Sequence, residues 1–475
     1  MQEKCVITST VETARGVLAP GHLGELTQIV DFALVDAVLA ETGRTEKRRR
    51  LLPARVAVYF VLALALFEHH SYRAVWGKLT AALGPLALVA PAASSLSRAR
   101  RRVGSLPLRR LFETLAGPVA TRTQRGSFYR GLRTVALDGT SLHLPDDPQL
   151  TWRYPKRSGD KLEFGYPLLR LLVLIECGTR ALLGAAFGPE SEGELAYADK
   201  LLNLLDASML LLADAGFDAA AFAAKVSATG AQFLIRSSAR RRPTCIRRLP
   251  DGSYLAPLAA PYRAGAGYSL VLVRVIETNV TVTLADGTVR TEQWRLITSL
   301  TDHHRHPAHE LVDLYHLRWQ VETTYLSIKS IMLDGRVLRS HSIDGVDQEV
   351  FALLTTYQAL IRAAADTVAT ATATGATMER ISFTVLLETA ADTVATAQNI
   401  LPGTGPTDLV GAIGRAALAA LLPGNRPQRA KARTRKNPTS KYSANASQQP
   451  QQTQRYTFHA EITTFETGLA PRPRR

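Results

Sequence analysis

Hydrophobic and polar positions divide this chain into stretches of different period. Between residues 21 and about 118 the apolar positions recur with a helical period, as in Val56–Phe67 (VAVYFVLALALF) and Arg73–Leu83 (RAVWGKLTAAL). From Arg133 the pattern turns strand-like: TVALDGTSLHL opens with a short apolar run and is expected to break at Asp138-Gly139. LLRLLVLIE (Leu168–Glu176) and ALLGAAF (Ala181–Phe187) flank CGTR, which predicts an antiparallel hairpin. In GPESEGELAYADKLLNLL, Ser191 and Glu194 have the spacing of a capping box and predict a helix start. MLLLADAGFD (Met209–Asp218) predicts a buried strand that again ends in an Asp. A helix is expected over FDAAAFAAKVSATG and a further strand over QFLIRSS (Gln232–Ser238). Residues 240 to about 300 alternate in YSLVLVRVIE, VTVTLADGTVRTEQW and RLITSL, a β-rich insertion with an Asp-Gly turn. Helices resume from about Gln348 to Leu422.

These periods predict an α/β protein with five regions: an arm (1–20), an all-helical domain (21–118), a mixed domain (130–345) carrying the insertion, a C-terminal helical region (346–422) and a basic tail (423–475). The longest apolar run has 12 residues, Val56 to Phe67, whereas a membrane span needs about 20. It is therefore read as a buried helix. Met1–Arg15 mixes charges without an apolar block, unlike a secretory signal. The heptapeptide ADTVATA at 365–371 and 391–397 is too short and too rare to mark a solenoid.

Charge adds a partner class. The 475 residues include 57 Lys or Arg against 41 Asp or Glu, a formal charge of +16, which favours a polyanion: nucleic acid first, an anionic membrane second. KRRR (Lys47–Arg50), RARRR (Arg98–Arg102) and RSSARRRPTCIRR (Arg236–Arg248) each fit a DNA backbone contact and a solvated face equally well. From Leu421 to Arg475 there are 11 Lys or Arg against two Glu, a composition expected to be mostly disordered, although FHAEITTF could add a strand. Three scattered cysteines fit neither a disulfide framework nor a zinc site, so a reducing, cytoplasmic compartment is expected, with nucleoid association following from a DNA partner. DHHRHPAHE (Asp302–Glu310) holds four histidines at no metal-site spacing and reads as a solvated loop. Trp294 and Trp319 suit base stacking or a core position, and the core reading is favoured for both.

The candidate chemistry lies in LYHLRWQVETTYLSIKS (Leu314–Ser330). On a regular helix Tyr315, Arg318, Glu322 and Lys329 fall at about 0°, 300°, 340° and 320°, within an arc of about 60° beside the apolar stripe. An Arg318–Glu322 pair at i, i+4 is ordinary helix stabilisation, but it accounts for neither Tyr315 nor Lys329. Asp138 and Asp214 each end a strand-like run before a Gly. Either alone reads as a turn former. Together with Glu322 they make a hard-oxygen set suited to Mg²⁺ or Mn²⁺, two of which about 3.5–4 Å apart promote in-line phosphoryl displacement.

The ungapped spacing Tyr-x2-Arg-x3-Glu-x6-Lys resembles the signature of the DDE transposases of the insertion-sequence-four family. ALDGT around Asp138 and ADAGF around Asp214 resemble that family's two Asp blocks, in order. LLPARVAVYFVLALALFEHHSYRAVWGKL resembles its N-terminal domain, and SKYSAN its C-terminal segment. The resemblance implies a ribonuclease-H-like catalytic domain with a β-rich insertion, and Asp138, Asp214 and Glu322 as catalytic ligands of two Mg²⁺ or Mn²⁺ ions. It also implies phosphate contacts from Tyr315, Arg318 and Lys329, and a homodimer that synapses terminal inverted repeats and performs cut-and-paste transposition of DNA. Related members pass through a DNA hairpin. A transposase-derived DNA-binding protein without cleavage and a structure-specific nuclease of the same fold are the alternatives. A membrane-surface protein is a distant further one.

Overall fold

The structure is a computed structural model that describes residues 21–424, apart from breaks at 47, 49, 84–89, 159–162, 239, 262–267, 285–288, 372–374, 399 and 401–410. It also describes the backbone of 12–13, 16–17, 429–430 and 454–464. The arm otherwise lies outside the described residues, as does most of the tail with its SKYSAN segment. Two compact bodies result, and neither is continuous in sequence: residues 1–121, 142–153 and 324–423 form a helical body, and 122–141, 154–323 and 424–475 a sheet body. The helical regions on either side of the mixed one, 21–118 and 346–422 in the sequence pattern, thus fall in one body.

The helical body is organised around Ala54–Leu66, in which every residue but Arg55 is buried. That all-round burial is why the apolar run shows no polar face. Among the described residues no helix is long and apolar enough to cross a membrane. Ile343–Thr370 packs against this helix and against Leu106–Leu115, with Phe112 and Phe351 ring centroids 6.1 Å apart. One member of the RARRR cluster ties these pieces together. Arg100, buried, donates to Gln348 Oε1 at 2.5 Å, Tyr72 Oη at 2.6 Å, Ser340 Oγ at 2.5 Å and the Gly345 carbonyl at 2.7 Å. Neither sequence reading of that cluster, DNA contact or solvated face, applies to Arg100. Arg98 and Arg101 are exposed.

The sheet body has one large mixed sheet. Its longer strands are β1 (Leu132–His143), β2 (Leu168–Glu176), β3 (Leu182–Pro189), β4 (Met209–Ala213), β5 (Gln232–Arg236), β6 (Tyr254–Pro261), β7 (Tyr268–Leu284), β8 (Val289–Thr298) and β9 (Gln454–Thr464). The order is β3-β2-β1-β4-β5-β8-β7-β6, with β9 on β7. β4 runs parallel to both β1 and β5, whereas β8 is antiparallel to β5. The alternating segments of the insertion therefore extend the same sheet. The expected hairpin forms between β2 and β3. From the tail, β9 pairs antiparallel with β7 (Thr278↔Thr464), so part of FHAEITTF does add a strand.

Two expectations are corrected. β1 does not break at Asp138-Gly139 but runs on to His143, because Gly139 keeps an ordinary negative-φ backbone and no turn forms there. Ser191 caps nothing: the helix starts at Glu194 with Gly193 as its N-cap and no side-chain cap, leaving the Glu194 carboxylate for other contacts.

In the helical body, burial lowers the pKa of His22 to about 4. The ring is satisfied in one neutral tautomer: Nε2 donates to the Leu79 carbonyl at 3.1 Å, and Nδ1 accepts from Gly24 N at 3.2 Å. Protonating Nδ1 breaks the second bond. Because the folded pKa lies below the unfolded value, the stabilisation is complete above about pH 6.5 and is lost as pH falls toward 4. Urea denaturation at pH 7 and pH 4.5 should show wild type losing about 2 kcal/mol more than His22→Gln over that interval. Equal losses would place the acid sensitivity elsewhere.

Candidate active site

The site grows out of strand register. β1 and β4 pair in parallel up to Leu137↔Ala213, so the next residues, Asp138 within β1 and Asp214 just past the end of β4, emerge side by side. Each carboxylate is held by a nearby backbone amide. Asp138 Oδ1 accepts from Gly139 N at 2.8 Å, and Asp214 Oδ1 accepts from Gly216 N at 2.8 Å, capping the short turn Ala215–Phe217.

The third carboxylate comes from a helix docked on this corner by polar ties. The Tyr315 hydroxyl donates to the Ala213 carbonyl at 3.2 Å, immediately before Asp214. Gln320 Oε1 accepts from Gly178 N, in the β2–β3 turn, at 2.5 Å, and the Leu317 carbonyl lies 3.9 Å from Cys177 Sγ. These ties turn Arg318 and Glu322 toward the strand ends. Arg318 Nη1 is 3.4 Å from Asp138 Oδ2, and its Nη2 is 3.1 Å from Glu322 Oε1. The guanidinium thus links two carboxylates, while its Nε is buried with no hydrogen-bond partner.

The electrostatics follow from crowding. Burial above all pushes the Asp138 carboxyl up to about 7; Arg318 opposes the shift, while Asp214 and Glu322 add to it. A carboxylate that resists ionising beside two others calls for further positive charge. The donor set consists only of carboxylate oxygens, the set that Mg²⁺ and Mn²⁺ take. Among the described residues no three His, Cys, Asp or Glu side chains are gathered closely enough to grip an ion as they stand. Arg318, between Asp138 and Glu322, supplies cationic charge there instead. In residue type and charge the corner therefore suits a divalent cation.

The helix itself departs from the regular wheel. It passes from α (Ala308–Tyr315) through a 3₁₀ turn (His316–Arg318) to α (Trp319–Leu326) and then a π segment (Ser327–Met332). Each change of pitch shifts the phase from that of a regular wheel. Tyr315 is 2% exposed, its ring edge-on to Trp294 and its hydroxyl committed to Ala213. Arg318 is buried and Glu322 half-buried. Lys329, half-buried in the π segment, belongs to the helical body, whereas the other five predicted residues belong to the sheet body. Trp294 is buried, as expected, but Trp319 is 47% exposed beside the Arg318 guanidinium. The core reading of Trp319 fails because, four residues past Tyr315, it falls at about 40° on the wheel, away from the apolar stripe. The histidine loop is only partly solvated: His306 is buried, and the Arg274 guanidinium donates to its carbonyl at 2.5 Å.

Sequence reasoning missed one acidic group at this corner. Glu194 reaches back from its helix to the glycines that follow both aspartates. A Cβ at Gly139 would lie 2.8 Å from Glu194 Oε1, and one at Gly216 3.5 Å from Oε2. The signal was the glycine in each of the Asp blocks.

Comparison with known proteins bears directly on this arrangement. Residues 20–113 match the insertion element 4 transposase N-terminal family, and residues 129–358, which hold all six predicted site residues, match the transposase DDE domain family. The transposase InsG for insertion sequence element IS4 of Escherichia coli (strain K12) is 29% identical over 341 residues, covering 70% of this chain and 75% of that protein. The piggyBac transposase synaptic complex with hairpin DNA aligns over 86% of this chain and 87% of its own at 11% identity, with a TM-score of 0.41, too low to bear on the fold. Two adjoining family matches, in the order in which the helical region and the Asp, Asp, Glu corner occur, show that the chain belongs to the insertion element 4 family of DDE transposases and is a DNA transposase.

Proposed function

We propose that Asp138, Asp214 and Glu322 are the catalytic carboxylates of a metal-dependent reaction that cuts DNA at the terminal inverted repeats of an insertion sequence and joins the freed ends to target DNA. The observation that carries this reading is the β1–β4 register, which sets two aspartates side by side, with Glu322 linked to the same corner through Arg318. The order β3-β2-β1-β4-β5, with β4 parallel to both neighbours, supports a ribonuclease-H-like core, onto which the insertion strands β6, β7 and β8 are added.

In this reading the three carboxylates hold a pair of Mg²⁺ or Mn²⁺ ions, which when bound polarise the scissile phosphate and stabilise the attacking and leaving oxygens. A water oxygen attacks phosphorus, the P–O3′ bond breaks, and a free 3′-OH remains. That hydroxyl later attacks a target phosphodiester, exchanging one ester for another. Arg318, beside Asp138 and Glu322, turns its guanidinium to a phosphate oxygen near the cut, a charge-assisted contact suited to phosphate. Lys329 adds a phosphate contact. Tyr315 acts through Asp214: its hydroxyl fixes the strand end from which that carboxylate projects, and it does not itself meet the phosphate. Two copies synapse two ends in this scheme, as cut-and-paste transposition requires.

Two outcomes test these roles. Glu322→Gln should abolish Mn²⁺-dependent nicking of a repeat-bearing fragment while leaving end binding within a few-fold of wild type. Lys329→Ala should weaken end binding and lower the slope of log affinity against log salt by about 1. Equal loss of binding in both variants would reverse the assignment. Separately, Tyr315→Phe should slow nicking about fivefold, the worth of one hydrogen bond of about 1 kcal/mol, at unchanged end affinity and salt slope. A drop in end affinity in that variant would make Tyr315 a DNA contact after all.

A further inference from the structure

We infer that Glu194 is a fourth carboxylate of the active centre and meets the divalent cation from the Asp214 side. The inference rests on the metal-dependent reading above and extends it to a residue outside the Asp, Asp, Glu triad.

Glu194 opens the helix that follows β3, with an uncapped N-terminus, and its side chain turns back to the strand ends. The two glycines there show why it can. Neither has positive φ, so neither is needed for a left-handed backbone. What they lack is a Cβ. At Gly139 that atom would lie 2.8 Å from Glu194 Oε1 and 3.1 Å from its carboxyl carbon, closer than real contacts allow. At Gly216 it would lie 3.0 Å from Asp214 Oδ1 and 3.5 Å from Glu194 Oε2, so two carboxylate oxygens border one open spot at the end of β4. A side chain at Gly139 would crowd the Glu194 carboxylate away from this corner, and one at Gly216 would press on Asp214 Oδ1 beside it. The DG and DAG of the two Asp blocks thus clear space for a third acidic group arriving from another element.

The carboxylate is restrained but reachable. Arg170 Nη1, on β2, lies 2.8 Å from Glu194 Oε1, and the Glu194 side chain is still 33% exposed. Arg170 is shared: its Nη2 is 3.5 Å from Glu190 Oε1, and Glu190 is also held by Arg157 at 2.9 Å and accepts from Ser141 at 2.9 Å. The arrangement mirrors Arg318 with Asp138 and Glu322. On each side of the corner an arginine, its Nε buried without a partner, lies against carboxylates. A divalent ion would compete with Arg170 for Glu194 as it competes with Arg318 for Asp138.

The test is Mn²⁺ binding by the full chain, followed through the electron paramagnetic resonance of free Mn²⁺, with thermal melts in EDTA to check folding. Glu194→Gln should melt like wild type and bind Mn²⁺ about tenfold more weakly, the lower end of the range for groups supporting a metal site. Gly139→Ala keeps every carboxylate and only obstructs the approach of Glu194, and it should show a similar loss. It decides the matter if Glu194→Gln does not fold. Wild-type Mn²⁺ affinity in either folded variant, with binding abolished in Asp214→Asn, would overturn the role of Glu194 and leave the metal-dependent reading intact. Absence of Mn²⁺ binding by wild type at millimolar concentration, with and without repeat DNA, would overturn both.

Discussion

Like charges gathered at one corner of a fold repel, and most of what is distinctive here answers that repulsion. Asp138, Asp214 and Glu322 share a corner where burial already disfavours ionisation, and Asp138 is pushed up to about 7. Arg318 relieves part of the repulsion by lying between Asp138 and Glu322. Arg170 does the same for Glu194. A protein that needed only stability would not assemble such a corner, since removing the charges would cost less than balancing them. Crowded carboxylates paired with arginines make sense where a cation of higher charge is to enter and phosphates are to draw the guanidiniums away.

The scaffold serves to hold that corner still. Parallel pairing of β1 with β4 fixes the two aspartates to within one residue, because a one-residue slip would send both side chains to the opposite face. Tyr315 and Gln320 peg the Glu-bearing helix to the strand end and to the hairpin turn, so two elements far apart in sequence keep one geometry. In the helical body, Arg100 plays a comparable part, satisfying groups from three segments at once.

Much of this was legible in the sequence, for identifiable reasons. Both aspartates announce themselves as acidic residues after apolar runs, and the hairpin and the insertion strands follow from alternation and turn residues. The helix was legible as a helix, but its pitch changes were not. No local sequence feature demands a 3₁₀ turn at His316–Arg318, and Tyr315 before it is buried while Trp319 after it is exposed, against expectation. Glu194 was misread because its spacing from Ser191 fits a capping box, while its actual contacts lie on strands distant in the chain. The basic clusters misled in the same way. Arg100 and Arg101 are neighbours in sequence, yet one is buried in a hydrogen-bond network and the other faces solvent, a distinction made only by packing.

The central claim is that cations held by these carboxylates act on the scissile phosphate. The most direct measurement replaces one non-bridging oxygen of that phosphate with sulfur, in each diastereomer, and compares nicking of the repeat-bearing fragment in Mg²⁺ and in Mn²⁺. The account predicts that one diastereomer is cut poorly in Mg²⁺ and recovers in Mn²⁺, the ion that better tolerates a sulfur ligand. Equal cutting of both diastereomers in either ion, or cutting that persists in EDTA, would contradict it.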